Sequence, residues 1–181
     1  MKIRNLLLLL RNVRIQTFEK GEIFIKVNST ERDVYFIRKG LVRSFYTNDK
    51  VEEITFQLYA ENQLVSNAHC ILFDEPSKFT YQAVERTKVY TFNFDTFTNT
   101  IGKDPRFIDF NRGMMGKRVI RSAFQRVEGF VLLSPEERYQ KYVKDFPSIV
   151  RRAPDKYIAN VLGITAVSLS RIRGRIASKK G

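Results

Sequence analysis

Between residues 13 and 100 the chain repeats one pattern so closely that it leaves few folds open. Short aromatic and β-branched runs alternate apolar with polar residues and are cut by turn formers. The runs are VRIQTF, EIFIKV, DVYFIRKGLVRSFYT, EEITFQLY and KFTYQAVERTKVYTFNF, separated or bent at Gly21, Asn28, Gly40, Asn48-Asp49 and Asp74-Glu75-Pro76. With no helical periodicity between them, such strands pair antiparallel, and a sandwich, roll or barrel follows. A chain with 43% hydrophobic residues has enough apolar surface to fill one.

The pattern breaks at Gly102. After Asp104-Pro105 no proline occurs before Pro135, and Phe107, Phe110 and Met114 are followed by Ile120, Phe124, Val127 and Val131. The last four step by four, three and four, which predicts a one-sided apolar stripe on a helix. Gly113 and Gly116 weaken that helix midway or admit a close neighbour. A long helix leaving a β domain suits self-association; the alternative is that it packs on its own sheet. Ser134-Pro135-Glu136-Glu137 then opens a new helix, with Ser134 as cap and Glu137 completing a capping box. That helix, EERYQKYVKDF, ends near Phe146-Pro147. Ala153-Pro154 precedes DKYIANVL, which stops at Gly163, and Thr165 is a natural cap for TAVSLSRIRGRIA. Two short helices across a glycine turn make a helix-turn-helix pattern.

Charge follows the same division. The chain carries 32 Lys+Arg against 19 Asp+Glu, a formal +13. Residues 134–181 hold 11 basic and 4 acidic side chains, about half of that excess. A small basic terminal module contacting phosphates explains the gradient, and a solvated basic tail is the plainer reading. One cysteine, Cys70, and one histidine, His69, exclude a structural zinc site, an all-protein iron–sulfur cluster and an internal disulfide. No G-x-S-x-G elbow accompanies His69, so a serine nucleophile lacks its usual setting. His69 and Cys70 read as an unreactive, partly buried pair, and no cofactor or metal is expected. The run Leu6 to Leu10 is far shorter than the roughly 18 residues of a membrane span. Residues MKIRNLLLLLR are expected to pack on the roll rather than dock on a membrane. A soluble, cytoplasmic chain is the expectation.

In the terminal pair, Ile158, Val161 and Leu162 form one apolar face, with small Ala159 allowing a close crossing. On the following helix Leu169, Ile172 and Ile176 must turn inward. The opposite side then carries Val167, Ser170, Arg171, Gly174 and Ser178, flanked by Ser168 and Arg175. The Arg171 fork suits guanine O6 and N7, Val167 suits a thymine methyl, and Ala166, Ser168 and Ser170 are short enough to let the helix approach base edges. Lys156, Arg173, Arg175, Lys179 and Lys180 are expected on phosphates.

The segment LLSPEERYQKYVKDFPSIVRRAPDKYIANVLGITAVSLSRIRGRI resembles the C-terminal winged helix-turn-helix of Crp/Fnr-type transcriptional regulators, in the subgroup with L-S-x-E-E-R-Y and Y-I-A-x-x-L-G-I-T-x-x-x-L-S-R-I-R. EKGEIFI and VYFIRKGLVRSFY are similar to the glycine turns of the family's effector domain. The resemblance implies an α+β chain in three parts. Residues 1–102 would form an antiparallel, cyclic-nucleotide-binding-like β-roll that senses an effector. Residues 103–131 would form a dimerisation helix, and 132–181 a DNA-binding winged helix-turn-helix. It also implies that the recognition helix, 165–176, starts at Thr165, that Arg171 holds the guanine-contacting position, and that Lys156, Tyr157 and Thr165 lie toward the DNA backbone. Ala166-Val167 stands where a polar pair, often including Glu, is usual, so more A·T character is expected there.

Family members that bind cyclic AMP carry a glutamate for the ribose and, about ten residues later, an arginine for the cyclic phosphate. NQLVSNAHCILFDEPSKFTYQAV has neither; Asn67, Ser77 and Lys78 fall roughly there as effector-pocket residues. A lysine supplies a point charge without the bidentate fork, so cyclic AMP is not the expected effector. The reading is a non-enzymatic, homodimeric regulator of transcription on a roughly palindromic double-stranded DNA site. An unidentified small-molecule effector or signal in the roll would shift its populations, and RNA polymerase is a candidate further partner. A dimer competent without any effector fits equally well. The alternative class is a cupin-like small-molecule-binding or metal-dependent enzyme, which one histidine disfavours.

Overall fold

A computed structural model describes residues 11–101 and 117–178. Eight strands come first: β1 (Arg14–Phe18), β2 (Ile23–Ile25), β3 (Asp33–Lys39), β4 (Val42–Thr47), β5 (Glu53–Tyr59), β6 (Leu64–Ser66), β7 (Thr80–Ala83) and β8 (Thr87–Asn93). They form two four-stranded antiparallel sheets, ordered β1-β8-β3-β6 and β2-β7-β4-β5. Chain-distant strands therefore pair, as in a double-stranded β-helix. Phe18, Ile25, Tyr35, Ile37, Val42, Val65, Tyr81, Ala83 and Val89 fill the space between the sheets. Gly40 is required at the β3–β4 turn. Its φ is +124°, and a Cβ there would lie 2.6 Å from the Cα of Thr87.

Two helices interrupt what the alternation alone reads as strands and turns: α1 (Ala68–Phe73) and α2 (Phe94–Ile101). The first is fixed by a buried side chain. Asn67 accepts a hydrogen bond from the backbone N–H of Cys70 at 3.3 Å and donates to the carbonyl of Ser29 at 2.9 Å. Arg32 then ties α1 to α2, bonding the Cys70 carbonyl at 2.7 Å, Asp74 at 2.6 Å and Asp95 at 3.0 Å.

Five helices follow: α3 (Lys117–Leu132), α4 (Pro135–Asp145), α5 (Pro147–Arg152), α6 (Asp155–Leu162) and α7 (Ala166–Ser178). The expected dimerisation segment is thus described only from Lys117; Phe107, Phe110, Gly113, Met114 and Gly116 lie outside the described residues. Ile120, Phe124, Val127 and Val131 are all exposed, so the stripe does not pack on the chain's own sheet. The other side of α3 faces inward, with the Arg126 guanidinium 4.2 Å from the Phe56 ring centre. Ser134 caps α4 as its sequence predicts: its Oγ accepts from the Glu137 N–H, and its own N–H donates to the Glu137 carboxylate at 2.8 Å. Helix α5 was not legible, because Pro147 reads as the end of one helix when it is also the first residue of the next. Among the described residues no strand follows Asn93, so the wing implied by the resemblance is not among them.

The terminal helices share a core with the roll. Leu41, Leu58 and Ala60 pack with Ile149, Ile158, Ala159, Leu162, Leu169 and Ile172. Polar contacts surround that core. Arg152 donates to both oxygens of Glu61 (2.9 and 2.7 Å) and to Glu85 at 2.7 Å. The Arg152 pair holds the Glu61 carboxyl well below the usual carboxylate range, at about 2. The Thr55 N–H donates to Asn160 Oδ1 at 3.1 Å. Arg43, with its side chain 3% exposed, lies between the rings of Phe45 and Tyr157, 4.1 and 4.3 Å from their centres, and also meets Gln82 and Glu53.

Candidate nucleic-acid interface

Helix α7 presents the face that its spacing predicts. Leu169 is 0% and Ile172 2% exposed, and Ile176 packs at the edge of the same core. At 100° per residue this leaves Ala166, Val167, Ser170, Arg171 and Gly174 on the open side, and all five are exposed. The angle between α6 and α7 is set by Gly163 in a left-handed conformation, φ +67°. A Cβ there would come 2.7 Å from the Phe130 ring of α3. Arg138, the arginine of the E-E-R-Y stretch, holds the same turn from α4. It donates to the carbonyls of Leu133 (2.7 Å) and Leu162 (3.3 Å), with its guanidinium 5.0 Å from the Phe130 ring centre.

The residues expected to read bases fall into two groups. Val167, Ser170 and Arg171 are open, and Arg171 has no side-chain partner among the described residues. Ser168 is half-buried and engaged: its N–H donates to Thr165 Oγ1 at 3.1 Å, and the two hydroxyls are 2.9 Å apart. Thr165 is thereby the cap of α7, with its hydroxyl committed.

The residues expected on phosphates also separate. Lys156 is exposed near the start of α6. Arg175 is 62% exposed and makes one ion pair, with Glu136 at 3.4 Å. Arg173 and Tyr157 are engaged within the protein, Arg173 by Asp155 and Tyr139 and Tyr157 by Arg43. Lys179 and Lys180 lie outside the described residues.

The effector-pocket residues are likewise occupied. Asn67 caps α1, and the buried Ser77 hydroxyl donates to the carbonyl of Phe79 at 2.7 Å and accepts from its N–H. Lys78 is exposed and pairs with Glu75 at 3.2 Å. Beside α1, Phe79 stacks on the exposed Phe56 of β5 at 4.5 Å and contacts the exposed Tyr46 of β4 and His69 of α1. Cys70 is buried, and its thiol donates to the Thr30 carbonyl at 3.2 Å.

Sequence reasoning missed the residues that dock the helices on the roll: Arg43, Glu61, Glu85, Arg152 and Asn160. They are charged or polar side chains scattered over more than a hundred positions, and no local pattern joins them. Arg138, which holds the α6–α7 turn rather than the roll, did leave a signal, as the basic member of the E-E-R-Y motif.

A cyclic nucleotide-binding domain model matches residues 15–104, and the chain is 23% identical to the anaerobic regulatory protein of Haemophilus influenzae. That match covers 90% of this chain and 66% of the relative, so the chain spans just under two thirds of the relative's length. Among solved structures, FixK2 of Bradyrhizobium japonicum is similar with a TM-score of 0.77 and 16% identity, covering 93% of this chain and 86% of that one. A transcriptional regulator from Eubacterium rectale assigned to the Crp/Fnr family is similar with a TM-score of 0.74 and 17% identity, covering 99% and 85%. The chain has the fold of these Crp/Fnr-type proteins and is similar to them over nearly its whole length. The Haemophilus and Eubacterium proteins are regulators, and the cupin-like alternative is not favoured. Among the described residues, no helix is long and apolar enough to cross a membrane.

Proposed function

We propose that this chain is a DNA-binding regulator of transcription of the Crp/Fnr type that acts as a homodimer on a roughly palindromic site. The observation that carries the reading is the two-sidedness of α7. Leu169 and Ile172 are sealed against α4, α6 and the roll, while Val167, Ser170 and Arg171 stand open on the other side of the helix. A helix so mounted enters a major groove with Arg171 toward a guanine edge and Val167 toward a thymine methyl. Lys156 and Arg175 neutralise flanking phosphates, which gives affinity and register without sequence information.

Two copies are brought together by the exposed stripe of α3. Residues Ile120, Phe124, Val127 and Val131 lie on one side of a helix whose other side holds Arg126 on Phe56 and Phe130 on the α6–α7 turn. A dimer through α3 therefore sets the separation of two recognition helices, which must reach half-sites about one helical turn apart. The same helix contacts both the roll and the turn, so a signal that shifts it would move the recognition helices. The occupied side chains of Asn67 and Ser77, and the Lys78–Glu75 pair, support an effector other than a cyclic nucleotide.

Selection of binding sites from random duplex DNA at fixed salt, with the full chain, tests the reading. The expected product is a two-fold symmetric sequence with a preferred guanine in each half-site. Recovery of unselected sequence would overturn it.

A further inference from the structure

We infer that Arg173, an arginine of the basic recognition helix, is a positioning residue that fixes α7 for reading rather than a phosphate ligand. The inference rests on the proposal that α7 reads DNA. Three arginines occupy alternate positions on this helix, and the structure treats them differently. Arg171 projects into the open. Arg175 has a side chain 62% exposed and a single ion pair at 3.4 Å. Arg173 is 32% exposed and makes three hydrogen bonds: Nη1 to Asp155 Oδ1 at 2.8 Å and Oδ2 at 2.7 Å, and Nε to the Tyr139 hydroxyl at 3.0 Å.

Those two partners come from different helices. Asp155 is the first residue of α6, where its carboxylate also faces the positive end of that helix. Tyr139 is buried in α4 and belongs to the core that seals Leu169 and Ile172. One planar guanidinium therefore joins three helices at a point beside the base-reading face, with fixed directions that a lysine cannot reproduce. Swinging the guanidinium outward to a phosphate would break all three bonds and leave the Tyr139 hydroxyl at the edge of an apolar core. In place, they resist rotation of α7 about its axis, and that rotation is what would swing Arg171 off its base edge.

A positioning residue and a phosphate ligand leave different marks on binding. Removing a phosphate contact weakens all DNA alike and lowers the slope of log Kobs against log salt by about 0.9. Removing a strut leaves the slope unchanged and erodes discrimination. The experiment measures affinity at several salt concentrations for Arg173→Ala, Arg173→Lys, Asp155→Asn and the double variant Arg173→Ala/Asp155→Asn. Each is tested on the selected site and on one changed at the guanine. Lys156→Ala is the comparator for a phosphate contact. Expected for Arg173→Ala and Asp155→Asn is a similar loss on the selected site, about tenfold, with a reduced ratio between the two sites and an unchanged salt slope. The double variant should be no worse than either single one. Arg173→Lys keeps the charge and not the fork, so it should lose discrimination too; it also keeps the test open if the alanine variant does not fold. A slope lowered by about one in Arg173→Ala, with Asp155→Asn binding as well as the parent, would make Arg173 a phosphate ligand and overturn the inference alone. Failure of the parent chain to bind any duplex would overturn the DNA-reading proposal, and the inference with it.

Discussion

The effector side of the roll and the outer face of α7 both carry short polar side chains at positions singled out by resemblance to the family, and the fold uses them in opposite ways. Asn67 and Ser77 are buried, and each has its polar atoms taken by the backbone: Asn67 by Cys70 and Ser29, Ser77 by Phe79. Ser170 and Arg171 are exposed on a helix whose register is set by Leu169 and Ile172 behind them. A polar residue can bind a ligand only with atoms that the fold leaves unused. In the loop around α1, the irregular backbone between β6 and β7 has no ladder to satisfy it, so side chains do that work. In α7 the helix satisfies its own backbone, and its outward side chains remain available.

Two substitutions with crossed effects test that contrast most severely. Asn67→Ala removes a cap and leaves the N–H of buried Cys70 without its side-chain acceptor, and should lower the unfolding free energy by about 2 kcal/mol in urea titration. DNA preference should be unchanged in the folded protein. Arg171→Ala should do the reverse: stability within about 0.5 kcal/mol of the parent, and a loss of about 1–3 kcal/mol on the preferred site with discrimination relaxed at one base pair. An Asn67 variant of parental stability whose DNA binding has changed would show that the residue serves a ligand or a signal, and the contrast would collapse.

Lys156 sharpens the comparison within the DNA-facing side itself. It is exposed at the start of α6, away from the base-reading residues of α7. Lys156→Ala should therefore weaken selected and unselected duplexes equally, and lower the salt slope by about one, in a fluorescence anisotropy titration at several salt concentrations. A loss confined to the selected site would assign it to base reading.

How far the sequence disclosed these regions depends on whether the determining contacts are local. Helix α7 is a periodic element: Leu169, Ile172 and Ile176 mark its buried side, and Thr165 and Gly163 mark where it starts and what precedes it. The capping box of Ser134 and Glu137 is equally local. Strand pairing was legible as a class and not as an order, because β1 meets β8 and β2 meets β7 across most of the roll, and alternation specifies a face but no partner. The short β6 and the helices α1, α2 and α5 were hidden for a related reason. Three to eight residues are too few for a period to declare itself, and α1 is held by Asn67 and Arg32 rather than by its own pattern. The commitments of Arg173 to Asp155 and Tyr139, and of Tyr157 to Arg43, span 18, 34 and 114 positions, so a basic or aromatic residue on a DNA-binding helix could not be sorted in advance into contact or strut.

The smallest expected effect is also the one that bears most directly on the roll. A ligand bound by the folded state alone adds RT ln(1 + [L]/Kd) to stability, about 2.7 kcal/mol at a hundredfold excess over Kd, which raises the melting temperature by several degrees in a domain of this size. Cyclic AMP needs a partner for its phosphate charge, and the nearest basic side chain by sequence position, Lys78, is on the surface and paired with Glu75. Millimolar cyclic AMP should therefore leave the melting temperature where it is, and Lys78→Ala should change neither that result nor the stability by more than about 0.5 kcal/mol. A shift of several degrees that Lys78→Ala abolishes would mean that the lysine turns inward to meet the phosphate. The two regions would then differ in conformation and not in kind.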